Sequence, residues 1–311
     1  MSGLPTAAGV LDGIDLSGRT ALVTGGYSGI GTEVVRALAG AGAHVLAPAR
    51  RPGKAEEVLA GIDGVQVGEL DLADQDSVAT YADGVLGSGR PLDYVIGNAG
   101  VMACPETRVG PAGRAEWELQ LATNHLGHYA LVNRVWPAIA ASGRVISVSS
   151  TGHHLSDIRW GDPWFAVGYD KWLAYGQSKT ANVLFAVHLD RLARDRGVRA
   201  FSLHPGAILT PLGRHLQAED LDAVMTLDAD GQPLLPDFRS PEEGAATAVW
   251  AATSPTLDGR GGLYLEDCGI AEVVPPGPQA TSGVKDYAVD PEAAARLWAW
   301  SAEVTGVDAF A

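Results

Sequence analysis

Tyr175 and Lys179 are the two residues of this sequence whose types and spacing most directly suggest proton-transfer chemistry. Side chains four positions apart lie on one face of a helix, about a turn from each other, so the ammonium can approach the phenol. A tyrosine normally titrates near pH ~10, and a nearby positive charge favours the phenolate and draws the pKa towards the working range. The pair can therefore serve as an acid or base, although the same spacing is also common on solvated helix surfaces.

A glycine-rich turn early in the chain is the second feature that could do chemistry. It reads Thr24-Gly25-Gly26-Tyr27-Ser28-Gly29-Ile30-Gly31 and joins an apolar run to a segment with helical periodicity. Glycines let the chain turn tightly and let backbone N–H groups approach a pyrophosphate, whose charge the N-terminus of the next helix favours. This position, between the first strand and the first helix, favours a dinucleotide site over an ordinary tight loop.

After Gly18, short apolar runs alternate with longer segments of helical periodicity. The predicted strands are Thr20–Thr24, His44–Ala49, Val65–Glu69, Leu92–Gly97, Arg144–Val148, Val198–Leu203 and Gly262–Leu265. The predicted helices lie near residues 29–41, 53–61, 74–86, 114–140, 174–196 and 241–253. Such alternation implies parallel pairing through right-handed crossovers. We expect an α/β fold: a single-domain, doubly wound parallel sheet (Rossmann fold) of about seven strands with helices on both faces, over residues 18–311 after a flexible N-terminal lead at 1–17.

The composition excludes some classes of partner. A net charge of -15 and a pI near 4.8 argue against nucleic acid and against an anionic membrane, because both require a positive face. Two cysteines form neither a disulfide framework nor a metal cluster, and no apolar stretch is long enough to span a bilayer. We therefore expect a cytoplasmic protein that binds a small-molecule substrate.

Several motifs together resemble those of the short-chain dehydrogenase/reductase family, classical type, over residues 18–268. The turn matches the family pattern Thr-Gly-x-x-x-Gly-Ile-Gly. The later matches, in order, are Asn98-Ala99-Gly100, Asn124, Ser149-Ser150, Tyr175-Gly176-Gln177-Ser178-Lys179, and Pro205-Gly206 with Thr210. Gly97 stands where the family has Asn, a mild departure. The Ser150-to-Tyr175 interval, the Ala49-Arg50 ending of strand two and the C-terminal segment 297–306 look most like the retinol dehydrogenase-like oxidoreductase branch.

The resemblance implies an NAD(P)-dependent oxidoreductase with four catalytic residues. Tyr175 would exchange a proton with the substrate oxygen, and Ser150 would orient that oxygen, with Ser149 as the alternative. Lys179 would hold the nicotinamide ribose and lower the phenol pKa, and Asn124 would link Lys179 to a water chain. A catalytically silent dinucleotide sensor or scaffold on the same fold is the alternative reading, but such proteins typically lose the Tyr or the Lys.

The resemblance also implies which residues contact the dinucleotide. Besides the glycine turn, Tyr175 and Lys179, they are Arg50, Asp71, Leu72, Asn98, Ala99, Gly100, Pro205, Gly206, Ile208 and Thr210. An NAD-selective site places an acid about 20 residues beyond the glycine motif, where it repels a 2'-phosphate. Strand two ends instead in Ala49-Arg50-Arg51, and a guanidinium suits a phosphate. NADP(H) is the expected cofactor, with NAD(H) possible.

Two stretches that follow strands, 151–173 and 209–239, are the predicted walls of the substrate site. Within the first, Trp160 and Trp164, with His153, are the predicted pocket residues, because apolar pockets are lined by aromatics. A bulky, apolar or cyclic substrate would fit such walls, although the same aromatics could instead fill a satellite core. No metal site is expected, since the histidines lack partners at ligand spacing. By family analogy, helices 114–140 and 174–196 would pack a homodimer or homotetramer.

Overall fold

Eight strands form one central sheet in the computed structural model, which describes residues 3–110, 116–216, 220, 226–227, 233–234, 238–275 and 282–311. The strands are β1 Thr20–Val23, β2 His44–Ala49, β3 Val65–Glu69, β4 Leu92–Gly97, β5 Ile139–Val148, β6 Arg199–Leu203, β7 Leu263–Glu266 and β8 Gly269–Ile270. Their order across the sheet is β8-β7-β6-β5-β4-β1-β2-β3. All neighbouring pairs are parallel except β7 with β8. The predicted α/β class is thus confirmed, with one antiparallel edge strand added.

Helices cover both faces of this sheet. They are α1 Ala7–Val10, α2 Ile30–Gly40, α3 Pro52–Leu59, α4 Gln75–Gly87, α5 Gly127–Val135, α6 Lys171–Ala193, α7 Pro241–Thr253 and α8 Pro291–Thr305. A turn at Leu119–Leu121 and a π-helical turn at Ala122–Leu126 lead into α5. One apolar cluster packs α1, α2 and α7 on one face, and a second packs α4, α5 and α6 on the other. None of the helices in the described ranges is long and apolar enough to cross a membrane.

Smaller elements surround the carboxyl edge of the sheet. The two-residue pairs are Arg108–Val109 with Trp117–Glu118, Ala207–Ile208 with Phe238–Arg239, Thr226–Leu227 with Pro233–Leu234, and Val273–Val274 with Val284–Lys285. A short 3-10 helix at Thr151–Leu155 follows β5. β1 lies between β2 and β4, so successive strands are added on one side of β1 up to β3 and on its other side from β4 onwards. Doubly wound sheets bind ligands at such a switch point.

The N-terminal segment corrects one prediction. Instead of a flexible lead over residues 1–17, the described part of it includes α1, whose first turn is capped by the Thr6 side chain. Ala7, Leu11 and Leu16 are buried in the same apolar cluster as α7. Burial of these side chains stabilises the packing of the N-terminal segment on the rest of the domain. The apolar residues of the segment are few and irregularly spaced, so the sequence pattern did not predict this packing.

Helix boundaries also differ from the sequence prediction. The helix predicted over 114–140 ends at Val135 before a 3-10 turn that contains Pro137, and β5 already begins at Ile139. α8 was not predicted, although its signals are present: Asp290 caps it, Pro291 starts it and Gly306 ends it in the left-handed conformation.

Candidate active site

The side chains of Tyr175 and Ser150 meet at the carboxyl edge of the sheet. Ser150 follows β5 and caps the 3-10 helix Thr151–Leu155, and Tyr175 lies in the second turn of α6. Their side chains lie next to each other: a Cβ at Gly152 would be 2.6 Å from Cε1 of Tyr175 and 3.4 Å from Ser150 Oγ, and the Ser150 hydroxyl lowers the pKa of the phenol. Asp170 sets the start of α6 by accepting hydrogen bonds from the backbone N–H groups of Trp172 and Leu173, each at 2.8 Å. The helix cap and the end of β5 therefore position the two groups.

Gly152 is required for this approach. A Cβ at that position would lie 2.6 Å from Cε1 of Tyr175, so only glycine lets the phenol ring pack against the turn. The Gly152 N–H also donates to Ser150 Oγ at 3.0 Å, which orients the hydroxyl. Sequence reasoning missed Gly152, because nothing local to the Thr151-Gly152 dipeptide indicates a contact with a helix that starts later in the chain.

The structure distinguishes between the two candidate serines. Ser149 is buried, and its hydroxyl donates to the main-chain oxygen of Lys179 at 2.8 Å. Ser150, whose side chain reaches the Tyr175 phenol, is the serine at the site. Because consecutive residues of an extended chain point to opposite sides, only one of the pair can face the phenol.

Lys179 lies behind the phenol and is 3% exposed. Its Nζ donates to the Val148 carbonyl at 3.0 Å and lies 5.7 Å from the centroid of the Tyr175 ring. Burial lowers the pKa of Lys179 to about 8. Burial also raises the pKa of Tyr175 to about 12, against the smaller lowering effect of the Ser150 hydroxyl. The expected downward shift of the phenol pKa is therefore wrong for this structure, because desolvation of the phenolate dominates.

Asn124 is fully buried in the π-helical turn that precedes α5. Its side-chain oxygen accepts from the Val101 N–H at 2.8 Å, and its amide donates to the Val101 carbonyl and to Ser178 Oγ, both at 2.9 Å. These bonds tie the segment after Gly100 to α6. The water-relay role of Asn124 remains a prediction.

The glycine turn forms a cradle that side chains would fill. Gly25 and Gly29 have positive φ angles of 66° and 53°, and a Cβ on either would lie 2.9 Å from Ala99 Cα or Thr210 Cβ, respectively. A Cβ on Gly31 would lie 2.2 Å from the Gly25 carbonyl. No side chain caps the N-terminus of α2. The turn, the 98–100 segment and the 205–210 segment thus enclose one site whose close backbone and uncapped helix end fit a dinucleotide pyrophosphate.

Asn98 and Gly100 border this cradle on the β4 side. The Asn98 amide donates to the Thr24 carbonyl at 3.0 Å, so it holds the glycine turn. A Cβ on Gly100 would lie 3.2 Å from Asn124 Oδ1 and 3.6 Å from Lys179 Nζ, which brings this turn against two of the predicted catalytic residues. The glycine turn, the 98–100 turn and the predicted catalytic residues Asn124 and Lys179 therefore lie next to one another in space.

The 205–210 segment closes the opposite side. Pro205 is buried, and Gly206 has a φ of 100° at a point where a Cβ would lie 2.6 Å from Arg239 Cδ. Ala207–Ile208 pairs with Phe238–Arg239, and Arg239 forms an ion pair with Asp267. These contacts hold Ile208 and Thr210 beside the start of α2.

The predicted adenosine-side residues follow β2 and β3. Arg50 comes directly after β2, is exposed, and has no ion pair with any residue that the structure describes. Asp71 Oδ1 accepts from the Ala73 N–H at 3.0 Å, and Leu72 is buried. All three lie after the carboxyl ends of their strands, the edge that carries the glycine turn.

The predicted pocket residues do not meet at Tyr175. His153 is fully buried: its Nδ1 lies 2.6 Å from the Ser150 carbonyl oxygen and its Nε2 accepts from the Lys285 N–H, so both ring nitrogens are engaged. Trp164 stacks on Trp117 at 5.8 Å and contacts Trp300 of α8.

Trp160 packs beneath Arg296 of α8, with the guanidinium carbon 4.1 Å from the ring centroid. The stretch around it binds Gln177, whose amide donates to the Pro163 carbonyl at 2.9 Å and whose oxygen accepts from the Arg159 N–H at 2.8 Å. Gln177 is two positions from Tyr175 and so lies on the other side of α6. The two tryptophans therefore occupy the satellite core that the sequence left as the alternative.

Trp172 is the aromatic residue that the structure brings to Tyr175, with the rings edge to face at 6.5 Å. Its Nε1 donates to Asp220 at 3.3 Å, and the same carboxylate forms an ion pair with Lys171 at 2.6 Å. Most of the other predicted wall, 209–239, lies outside the described residues. Within the described ranges, no group of three or more His, Cys, Asp or Glu side chains could hold a metal ion.

The segments that form the candidate site lie within a region of the chain that is similar to known proteins. Residues 19–221 match the family model for short chain dehydrogenase. A Streptomyces lividans protein described as "Probable oxidoreductase" is 46% identical over 299 residues, 93% of this chain and 98% of that protein. Human "Retinol dehydrogenase 12" is 33% identical over 304 residues, 94% of this chain and 88% of that protein. The structure of the "Pseudomonas aeruginosa RhlG/NADP active-site complex" is 25% identical, with a TM-score of 0.60 over 81% of this chain and 95% of that chain.

Proposed function

The chain belongs to the short-chain dehydrogenase family, and from that premise we propose that it transfers a hydride between NADP(H) and a carbonyl compound or the matching secondary alcohol. It is an NAD(P)-dependent oxidoreductase of this family, with retinol dehydrogenases among its relatives, as the sequence predicts. The observation that carries the proposed reaction is the close approach of the Ser150 hydroxyl and the Tyr175 phenol beside Gly152, with buried Lys179 near the phenol ring.

In the proposed reduction, a bound reduced nicotinamide supplies the hydride to the carbonyl carbon. Tyr175 donates its phenolic proton to the carbonyl oxygen, which yields the alcohol. Burial keeps the phenol protonated, with a pKa of about 12, so it is available as an acid at neutral pH. Ser150 donates a hydrogen bond to the same oxygen, and the Lys179 ammonium stabilises the phenolate that proton transfer leaves behind.

Preference for NADP(H) is supported by Arg50. Its guanidinium is exposed and unpaired among the described residues, next to the carboxyl end of β2, where an acid would be needed to select against a 2'-phosphate. The related Pseudomonas structure is named as an NADP complex, which agrees with this choice. NAD(H) would bind without this contact and therefore more weakly.

The substrate is proposed to carry a bulky, apolar or cyclic group that packs on Trp172. The indole and the Tyr175 ring meet edge to face, and the hydrogen bond from Nε1 to Asp220 restricts rotation of the indole. An aromatic wall beside a few convergent polar groups is the usual composition of a small-molecule site. Trp172 thus takes the place of Trp160 and Trp164 as the proposed aromatic wall of the substrate site.

We propose that the enzyme acts in the cytoplasm, where its free cysteines, Cys104 and Cys268, would remain reduced. The homodimer or homotetramer expected by family analogy, packed through residues 114–140 and 174–196, stays a proposal, and α8 limits which part of those helices is available for it. Trp298 of α8 stacks on Phe185 of α6 at 5.8 Å, and Ser301 is bonded to His125. α8 thus covers part of that helical face within the chain.

A substrate panel tests the proposed function. Purified protein would be mixed with NADPH or NADH and a set of aliphatic, aryl and cyclic ketones and aldehydes, and consumption of the reduced nicotinamide would be followed by absorbance. We expect turnover with NADPH on at least one bulky carbonyl compound. Dinucleotide binding without turnover on any carbonyl or alcohol would overturn the proposed reaction, and the absence of dinucleotide binding would overturn the site.

A further inference from the structure

His128 in α5 links two segments that border the candidate active site. Its Nδ1 lies 2.9 Å from the main-chain oxygen of Asn124, and its Nε2 lies 2.8 Å from Oγ1 of Thr24. His128 as a whole residue is 5% exposed. Thr24 begins the glycine turn and Asn124 is the predicted fourth catalytic residue, so one ring connects both sides of the site.

The bonding partners determine which ring nitrogen carries the proton. A carbonyl oxygen can only accept, so Nδ1 must be the donor to Asn124. Nε2 of the neutral ring is then an acceptor, and the Thr24 hydroxyl donates to it. Burial, with a contribution from the Lys179 charge, lowers the pKa of His128 to about 4, so the ring keeps this form at neutral pH.

The Thr24 hydroxyl also bonds to the Asn98–Gly100 turn that follows β4. With its proton directed to His128, its oxygen accepts from the N–H groups of Asn98 and Ala99, each at 3.0 Å. The alternative acceptor, the Ile96 carbonyl, lies at 3.5 Å and is the poorer partner. A hydroxyl has one proton and two acceptor sites, so the capacity of Thr24 is fully used.

Space for the imidazole exists because position 97 has no side chain. A Cβ on Gly97 would lie 3.1 Å from Cδ2 of His128, closer than an ordinary contact. The last residue of β4 and the ring therefore occupy adjoining space directly beneath the 98–100 turn.

We propose that His128 is a positioning residue for the dinucleotide, which holds the glycine turn and the Asn98–Gly100 turn in register through the Thr24 hydroxyl. The proposal rests on the proposed function, since it assumes that these two turns bind NADP(H). Without the imidazole, the Thr24 hydroxyl would lose its best hydrogen-bond acceptor. The hydroxyl would then no longer be held in the orientation that connects the two turns. Affinity for the cofactor would then decrease, whereas the Tyr175 and Ser150 pair would remain in place.

His125 supplies a matched control for this proposal. It lies one turn before His128 and is also buried, but its Nε2 bonds to Ser301 Oγ of α8 at 2.8 Å, away from the site. His128→Leu and His125→Leu each remove one buried imidazole from the same helical segment. Both should lower the thermal unfolding midpoint, so a difference in cofactor affinity between them reports the position of the ring and not the loss of packing.

The test measures the NADPH dissociation constant from nicotinamide fluorescence, for the wild type and for both leucine variants. We expect His128→Leu to raise that constant at least about tenfold, the scale of a lost buried hydrogen bond, and His125→Leu to change it less than about twofold. His128→Gln keeps an acceptor for the Thr24 hydroxyl and should recover most of the NADPH affinity. His128→Asn keeps only a donor for the Asn124 main-chain oxygen and should bind NADPH as weakly as His128→Leu.

If His128→Leu fails to fold, Thr24→Val still tests the proposal, because it removes the same hydrogen bond from the other partner. It should weaken NADPH binding by a similar factor, and Thr24→Val with His128→Gln should be no weaker than Thr24→Val alone, because both changes act through one bond. The positioning role of His128 is overturned if the wild type binds NADPH and the His128 variants bind it as well as His125→Leu does. A wild type that binds no dinucleotide would overturn the proposed function and, with it, this role.

Discussion

The Ser150 and Tyr175 side chains lie next to each other, and the serine hydroxyl lowers the pKa of the phenol, although one residue follows a strand and the other lies within a helix. Gly152 makes the contact possible by leaving room for the phenol ring. The phenol is buried and protonated, and its neighbour is the serine that would share the substrate oxygen with it.

Tyr175→Phe removes the proposed proton donor and little else. We expect the variant to fold and bind NADPH, and to lose at least about a hundredfold in kcat, the usual scale for a positioned acid. Tyr129→Phe is the control, because Tyr129 is a buried tyrosine whose hydroxyl has no hydrogen-bond partner among the described residues. Steady-state kinetics of both variants check the prediction. Near-normal turnover of Tyr175→Phe would remove Tyr175 from the mechanism.

The two neighbouring serines should respond differently to alanine. Ser150→Ala removes a hydrogen bond to the developing oxyanion and should lower kcat by about a hundredfold. Ser149→Ala removes the bond to the Lys179 main chain, so it should cost about 1 kcal/mol of unfolding free energy and keep most of the turnover. Kinetics and urea denaturation of each variant separate these effects. The reverse pattern would assign the role to Ser149.

Arg50→Asp tests the choice of cofactor. Replacing the guanidinium by a carboxylate should weaken NADPH binding by about 1.5 to 3 kcal/mol and shift the preference towards NADH. Arg51→Asp makes the same change of charge at the N-cap of α3, where Asp is tolerated, and should have a smaller effect. The measurement is kcat/KM with both cofactors. Equal wild-type efficiency with NADPH and NADH would contradict the assignment.

The aromatic residues of the 151–173 stretch should separate into two groups. Trp172→Ala should raise KM for bulky apolar carbonyl compounds by about tenfold, through loss of apolar contact with the substrate. Trp164→Ala should instead cost about 3 kcal/mol of stability, because its ring packs between Trp117 and Trp300. KM across a substrate panel and thermal unfolding midpoints distinguish them. An unchanged KM in Trp172→Ala would remove that residue from the pocket.

Stability should fall on mild acidification. Burial lowers the pKa of His125 and His153 to about 3 and that of His128 and His204 to about 4. Because the folded pKa lies below the unfolded value near 6.5, the unfolded chain binds more protons between the two. The stability is then fully present above pH ~6.5 and decreases towards pH ~4, by up to about 3 kcal/mol for His128 alone.

Thermal unfolding measured across this pH range checks the prediction, and His128→Gln should flatten part of the dependence. An unfolding midpoint that is the same at pH ~4.5 and pH ~7.5 would show that these histidines titrate normally in the folded protein.

The sequence alone was sufficient to identify the alternating strands and helices and the family, and it supplied the candidate catalytic and cofactor motifs. The glycine turn after β1 and the Tyr175-Lys179 spacing are local patterns, and local patterns determine backbone turns and helix faces directly. The confirmed α/β class follows from the same alternation.

Only the tertiary structure decided which side chains meet. Ser150 was distinguished from Ser149, Trp172 from Trp160 and Trp164, and the buried His153 from a pocket residue by contacts between elements far apart in the chain. The direction of the Tyr175 pKa shift was decided in the same way, since desolvation depends on every element packed around the phenol. Such contacts arise from packing across the sheet and have no signature in the spacing of residues along the sequence.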